Sequence, residues 1–596
     1  MLIHNSHDPA YRMPIGAIPC SGKVKIRFYC DESDSITLRT WTGKEENFPM
    51  EKIKENTFEA TVILPNTPQL FWYDFIIYLE NGVLRYGNSQ EQLGGEGAIY
   101  QTQPPSYQIT VYDPEYKTPS YLRNGIIYQI FPDRFNGDDG GSLERLNDIK
   151  QAHPEAYFHQ NWNERPLLDV DPENSDNRAL DFFQGTLQGI IEKLDWLKQL
   201  GITVLYINPI FRARTNHRYD TGDYSQIDPI LGTQSDFDEL IIETKKRGIK
   251  VMLDGVFSHT GADSLYFNRF NRYEGLGAYQ SKDSKYSTWY HFDEFPDKYR
   301  TWWGFYTLPA INKDNPSYRS FLTNHEDGIL PSWVKKGAGG WRLDVADELP
   351  MDLLAEMRKS IKDVDEDSVL LGEVWEDASN KVAYNQQRSY CLGDTLDSVM
   401  NYPLRRAIID FFTEVIDAEQ LCRVIRHQQE VYPAPFYYSL MNLLGSHDRV
   451  RILNALAGHD CDGIIQMDKV EAGKIKLGKR TLSLVKKKYV RAVKLICALP
   501  GAPTFYYGDD IGMEGMADPW NRAPMDWKNA DNQLHAVVRK IIHERNSNPV
   551  LQTGLLKIEA KDKNTIIIHR FLEDGCEAFG EKLDLDNITI IISRSN

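Results

Sequence analysis

The chain has 596 residues, more than one hydrophobic core accommodates, so three or four domains are expected. Its 85 acidic against 68 basic residues leave a net charge of −17, which argues against nucleic acid or an anionic membrane surface as a partner. Seven scattered cysteines without a CxxC pair read as reduced thiols, not as a disulfide framework or zinc site. No stretch approaches the roughly 18 apolar residues of a membrane span. The opening MLIHNSHDPAYRMP has neither a basic nor an apolar leader region, and a cytoplasmic enzyme fits best.

Residues 1–118 carry short β-like runs (KVKIRFYC, SITLRTW, TFEATVIL, LFWYDFIIYL, YQITVY) divided by Asn, Gly and Pro, the pattern of a small antiparallel sandwich. PEYKTP at 114–119 is the expected linker. From residue 119 to 548, strands alternate with amphipathic helices, which signals βαβ units. NGIIYQIF is the first strand. In TLQGIIEKLDWLKQLG, Leu187, Ile190, Ile191, Leu194 and Leu197 share one helical face, and Gly201 is a stop. GITVLYINPIF is the second strand. The helix in SDFDELIIETKKRG is expected to start on its Ser/Asp pair and stop at Gly248, before KVMLDGVF as the third strand.

The interval at about 260–335 is long, aromatic and polar, and reads as an inserted subdomain or lid. Alternation resumes with GGWRLDVAD, SVLLGEVW, SVMNYPL, SLMNLLGSHD and APTFYYGDD, giving eight strands. Residues 549–596 return to β periodicity as a short terminal sandwich. The fold class is therefore α/β: a (β/α)8 TIM barrel with an insert after strand three, flanked by N-terminal and C-terminal antiparallel β-sandwich domains.

Four strand ends carry acids: DGVFSH at 254–259, GWRLD at 340–344, GEVW at 372–375 and GSHD at 445–448. A parallel barrel gathers such residues at one rim, and a pair of carboxyl groups is what glycosidic bond cleavage needs. Asp344 lies two residues after Arg342 on a strand, so both side chains point to one face and the guanidinium can keep the carboxylate ionised. Glu373 lies two residues before Trp375, whose apolar bulk would desolvate an acid and suit it to proton donation. Asp448 adds a third carboxylate. His259 and His447 supply neutral groups for sugar hydroxyls.

These four segments, with IIYQIFPDRF, HRYDTGDYSQIDP and GDDIGMEG, resemble glycoside hydrolase family 13, the α-amylase family, in its neopullulanase/cyclomaltodextrinase/maltogenic amylase branch. The resemblance covers most of residues 120–530. It implies retaining double displacement on α-glucosidic bonds of maltodextrins, cyclodextrins or pullulan-type α-glucans, with Asp344 as nucleophile, Glu373 as acid/base and Asp448 binding sugar hydroxyls. Arg342 would hold the nucleophile, His259 and His447 would contact the reacting sugar, and Tyr219 would stack on it. Trp375 would line the substrate site. A homodimer through the N-terminal domain is also implied.

The chain departs from the family pattern at three places. Ser258 stands where the first motif normally has Asn, and Thr186 where many relatives place an Asp ligand. Asp138 and Asp139 read either as a surface turn or as part of a cation site, so metal binding stays open; calcium takes six or more oxygens, and no cofactor is required by the acid chemistry. LPAIN at 308–312 puts Ala310 where neopullulanases often have Lys, leaving activity on α-1,4 bonds with some α-1,6 tolerance. A 4-α-glucanotransferase would use the same acids, with Trp302, Trp303 and Trp375 excluding water. A non-catalytic sugar-binding protein would be expected to lack one of the three acids.

Overall fold

The computed structural model describes residues 1–33, 35–80, 82–137, 149–150, 154–169, 178–460 and 467–595. Asp138, Asp139 and Cys461 lie outside the described residues; the other six cysteines are free thiols.

Eight short strands, buried throughout except at Lys250, form the centre: β1 (Ile127–Ile130), β2 (Val204–Ile207), β3 (Lys250–Gly255), β4 (Gly340–Leu343), β5 (Val369–Gly372), β6 (Ser398–Val399), β7 (Met441–Leu443) and β8 (Ala502–Tyr506). Each pairs in parallel with its neighbour, β8 returning to β1. A parallel bridge from Met400 to Met441 closes the ring between β6 and β7. The expected eight-stranded barrel is therefore present.

Strand periodicity of two sorts the side chains. Ile127, Val204, Met252, Val369, Met441 and Ala502 form an apolar plug in the lumen. The alternate residues, including Tyr128, Leu205, Leu253, Trp341 and Leu370, pack outward in the large core shared with the helices. One period further along the lumen, the sequence turns polar: Gln129, Asp254 and Arg342 are all buried there. This layer at the C-terminal ends of the strands is the floor of the site.

The β1–β2 crossover is one predicted helix that the structure divides at Lys193 into Leu187–Glu192 and Leu194–Leu200. Of the expected face, Leu187, Ile190, Leu194 and Leu197 are buried, and Ile191 is half-buried against the same core. Gly201 ends the helix at φ 99°. The β2–β3 helix, Gln234–Lys246, corrects one expectation. Its N-cap is Thr233, not the Ser/Asp pair; Asp236 is the third helical residue and reaches back to close a capping box.

Between β3 and β4 the chain folds two small antiparallel hairpins, Phe292–Glu294 with Lys298–Tyr299 and Thr301–Trp302 with Phe305–Pro309. Helix Ile329–Lys335 then returns to the barrel. The excursion is tied to the rim by bridges His259–Ala310 and Tyr290–Ile311.

The N-terminal strands form two sheets around their own core of Val24, Ile26, Phe28, Tyr73, Phe75 and Ile109 among others. The tail forms a three-stranded antiparallel sheet over Leu555–Asp562, Thr565–Phe571 and Ile588–Ser593. Among the described residues it is one sheet rather than two, because Ile558, Ile566, Ile568 and Ile592 find their apolar partner in the barrel's core.

Candidate active site

Arg342 organises the site. Its fully buried guanidinium donates from one terminal nitrogen to Asp254 Oδ1 (2.8 Å) and Asp344 Oδ1 (3.0 Å), and its other terminal nitrogen pairs with Glu373 Oε2 at 2.7 Å. One cation therefore brackets the acids of β3, β4 and β5. Glu373 also accepts from Val345 N–H (Oε2, 2.9 Å) and Trp375 Nε1–H (Oε1, 2.9 Å). This revises the expected role of Trp375, which meets the acid through its N–H rather than as an apolar wall. The indole stacks on Tyr402 at 4.2 Å and 3° and keeps 39% exposure toward solvent.

A second network spans β1, β2, β3 and β7. Gln129 Nε2 donates to His447 Nδ1 (2.8 Å), which makes that nitrogen the acceptor and leaves the proton on Nε2. His447 Nε2 faces Tyr219 Oη at 2.6 Å and Asp448 Oδ2 at 3.2 Å. Tyr219 donates in turn to Asp254 Oδ2 (2.8 Å), which also accepts from Tyr206 (2.6 Å). Tyr219 lies parallel to the His447 ring, 5.4 Å away. Burial holds His447 well below its ordinary pKa, with Arg522 and Arg342 adding to the effect, so the ring is neutral. Asp448 is joined by Arg522 at 3.5 Å. Burial and then Glu373 push its carboxyl up to about 7, against the pull of Arg522 and Arg342.

His259 has both ring nitrogens engaged by protein. Nε2 donates to the Tyr219 carbonyl (3.1 Å), and Ser258 Oγ–H donates to Nδ1 (2.9 Å). Burial lowers its pKa to about 3. The Tyr219 carbonyl, which can only accept, thus fixes the tautomer of His259 with its proton on Nε2, and His259 supports Tyr219 from behind. Trp302 packs on His259 at 5.0 Å and Trp303 stacks on Trp302 at 5.1 Å, carrying an aromatic row out along the rim.

All eight sequence-predicted residues (Tyr219, His259, Arg342, Asp344, Glu373, Trp375, His447 and Asp448) thus lie in two contiguous networks. Sequence reasoning missed Gln129, Tyr206, Tyr402 and Arg522. Gln129 and Tyr206 had a signal, since each lies two residues after a lumen residue of its strand. Arg522 had none, because it arrives from the irregular chain after β8. Val345 was also missed: it holds φ 40°, a strained backbone for a β-branched residue, and so aims its N–H at Glu373.

At the two departures both side chains are engaged within the protein. Thr186 caps its helix by accepting from Gly189 N–H, and Ser258 is bonded to His259. Among the described residues, no three His, Cys, Asp or Glu side chains group to hold a metal. Among them too, no helix is long and apolar enough to cross a membrane.

Acids from several strand ends gathered at one rim of a closed parallel barrel define a (β/α)8 protein with its site at the C-terminal face. Residues 129–550 match the family described as alpha amylase, catalytic domain. The chain belongs to the α-amylase family, glycoside hydrolase family 13. It is 36% identical over 645 residues to an amylopullulanase of Thermoanaerobacter thermohydrosulfuricus, covering 99% of this chain and 42% of that protein. Two further amylopullulanases, from Thermoanaerobacterium species, are covered over 33% and 48%, so the chain spans less than half the length of these relatives. A maltogenic alpha-amylase of Bacillus acidopullulyticus is 33% identical over 491 residues, 80% of this chain and 71% of that one. Among solved structures, the cyclic alpha-maltosyl-(1→6)-maltose hydrolase of Arthrobacter globiformis, in complex with cyclic alpha-maltosyl-(1→6)-maltose, is similar with a TM-score of 0.63 at 31% identity. That match covers 77% of this chain and 90% of the other.

Proposed function

We propose that this chain is a retaining glycosidase that cleaves α-1,4-glucosidic bonds of maltodextrins, cyclodextrins or pullulan-type α-glucans, with tolerance of α-1,6 bonds. The observation that carries the reading is the single Arg342 guanidinium in contact with both Asp344 and Glu373. Two carboxyl groups held on one guanidinium are neighbours at one rim, which supports a pair of acids acting on the same bond. The names of the relatives support the substrate class.

In the first step the Asp344 carboxylate attacks the anomeric carbon while protonated Glu373 gives its proton to the leaving oxygen. A glycosyl ester on Asp344 forms and the leaving sugar departs as an alcohol. In the second step Glu373, now a carboxylate, takes a proton from water as the water oxygen displaces Asp344, releasing a product of the original configuration. Arg342 disperses the charge that moves between the two acids. Asp448 presents a carboxyl group to hydroxyls of the reacting ring, and neutral His447 donates to Tyr219 beside it.

The second reading, a 4-α-glucanotransferase, is favoured by the aromatic row of Trp302 and Trp303, which would shelter the glycosyl ester from water. One experiment tests both: maltotriose digestion followed by proton NMR. The α-anomer is expected to form first, and a β-anomer formed first would overturn the retaining mechanism. Glucose and maltose as the main products support hydrolysis. Dominant longer oligosaccharides would replace the hydrolase by the transferase.

A further inference from the structure

Glu373 follows β5, and its Oε1 is held by the indole N–H of Trp375 two residues on. Trp375 and Glu376 are both exposed, so the indole depends on whatever fixes the chain beyond them. Asp377 does so from three directions. Its Oδ2 pairs with His427 Nε2 at 2.7 Å, and its Oδ1 accepts from Tyr432 Oη (2.9 Å) and Ser379 N–H (2.8 Å).

The neighbouring residues are fastened as well. Ala378 N–H donates to Tyr432 Oη (2.9 Å), and Asn380 Nδ2 donates to Gln108 Oε1 (2.7 Å) on the N-terminal strand Tyr107–Tyr112. Residues 377–380 are therefore gripped between helix Ala418–Val431, with Tyr432 just past its end, and the N-terminal sheets. An Asx turn to Ser379 N–H would by itself shape so short a loop. The buried histidine is additional, because a charge inside the protein is costly unless it is paired.

Here it is paired. Burial lowers the affinity of His427 for a proton, but Asp377 outweighs this and, with Glu430 adding, the ring's pKa is raised. Burial would raise the Asp377 carboxyl, yet His427 brings it down to about 2. Glu430, one helical turn on, is itself paired with Arg12 and His7. From the N-terminal side His427 meets a small cavity lined by the neutral Asn88, Ser106 and Gln108. The contact between Asp377 and His427 is thus a charge-assisted hydrogen bond, which belongs to the strong class.

We propose that Asp377 and His427 are positioning residues for the acid/base: by fixing residues 377–380, their ion pair holds the Trp375 indole on Glu373 and sets the direction of proton delivery. The role rests on the reaction proposed above. Neither side chain is bonded to Glu373, so the influence runs through the backbone of residues 375–377 to the indole.

Asp377→Asn and His427→Gln nearly keep the shapes and remove the charges. Two substrates separate proton delivery from general damage: maltotriose, whose leaving sugar needs a proton from Glu373, and α-maltosyl fluoride, whose fluoride leaves without one. In each variant kcat/KM for maltotriose is expected to fall about tenfold relative to that for the fluoride, through kcat, with KM near the parent value. In a Trp375→Phe background, which already lacks the indole N–H, adding Asp377→Asn should change this ratio by less than about twofold. An unchanged ratio in the single variants, whether both rates fall together or neither falls, overturns the proposal. So does a full tenfold effect in the Trp375→Phe background. Should the single variants fail to fold, Tyr432→Phe removes one hydroxyl from Asp377 and is expected to move the ratio the same way by about threefold. An unchanged ratio there overturns the proposal equally. A parent protein inactive on both substrates would instead sink the reaction, and the positioning role with it.

Discussion

At the scale of residues, four acids (Asp254, Asp344, Glu373 and Asp448) share two arginines, Arg342 and Arg522. Burial raises the carboxyls of Asp344, Asp254 and Asp448, and the arginines only partly offset it, so Arg342 does not by itself keep Asp344 ionised as the sequence suggested, and Asp344 must lose its proton before it attacks. An acid with a raised pKa keeps a proton in the folded chain that the unfolded chain has already lost. Stability therefore falls as pH rises from about 4, and for Asp448 the loss is complete above about 7. Asp344→Asn and Asp448→Asn are expected to lower kcat/KM at least ~10³-fold. Both should also melt higher than the parent, by something on the order of 1 kcal/mol, with the gap opening between pH 4 and pH 8. Scanning calorimetry at the two pH values checks this, and an equal gap at both would contradict the charge argument.

At the scale of elements, local sequence decides more than the family pattern does. Thr186 occupies a position where a ligand is expected in many relatives, but its hydroxyl caps the β1–β2 helix. Removing such a cap costs about 1 kcal/mol, so Thr186→Ala should lower stability by that amount in a urea titration and leave kcat/KM near the parent value. A loss of activity with unchanged stability would assign Thr186 to the site instead. The acid motifs were legible because each follows an apolar strand, and the lumen face is set by alternation. The cap at Thr233 was misread because Ser235 and Asp236 are also good cap residues; the choice fell to the residue whose backbone is extended at the turn.

At the scale of the whole molecule, the N-terminal sheets are fastened to the barrel by a buried charge cluster. Arg12 donates to Glu430 Oε1 (2.5 Å) and His7 Nε2 meets Glu430 Oε2 (2.8 Å) on the barrel helix Ala418–Val431. Burial pushes the Glu430 carboxyl up, but His7 and Arg12 outweigh it and bring it to about 2. An acid with a lowered pKa stabilises above its ordinary value, and that contribution is lost as pH falls from about 4.5 toward about 2. Arg12→Ala would strand the buried carboxylate at a cost of about 3–5 kcal/mol. Calorimetry should then show the N-terminal sheets melting ahead of the barrel, and a single unshifted transition would count against this fastening.

The sequence by itself determined the elements and the chemistry they carry: eight apolar strands, the helices between them, and Asp344, Glu373 and Asp448 at strand ends. These are local properties, because strand and helix periodicity and motif spacing extend over only a few residues. Only the tertiary structure decided which groups share a proton or a cation. Arg342 joins acids of three strands, Gln129 sets the tautomer of His447 from 318 positions away, and His427 holds Asp377 from 50 positions away. Such encounters depend on how the ring of strands closes and how far each loop reaches over it, which no periodicity along the chain records.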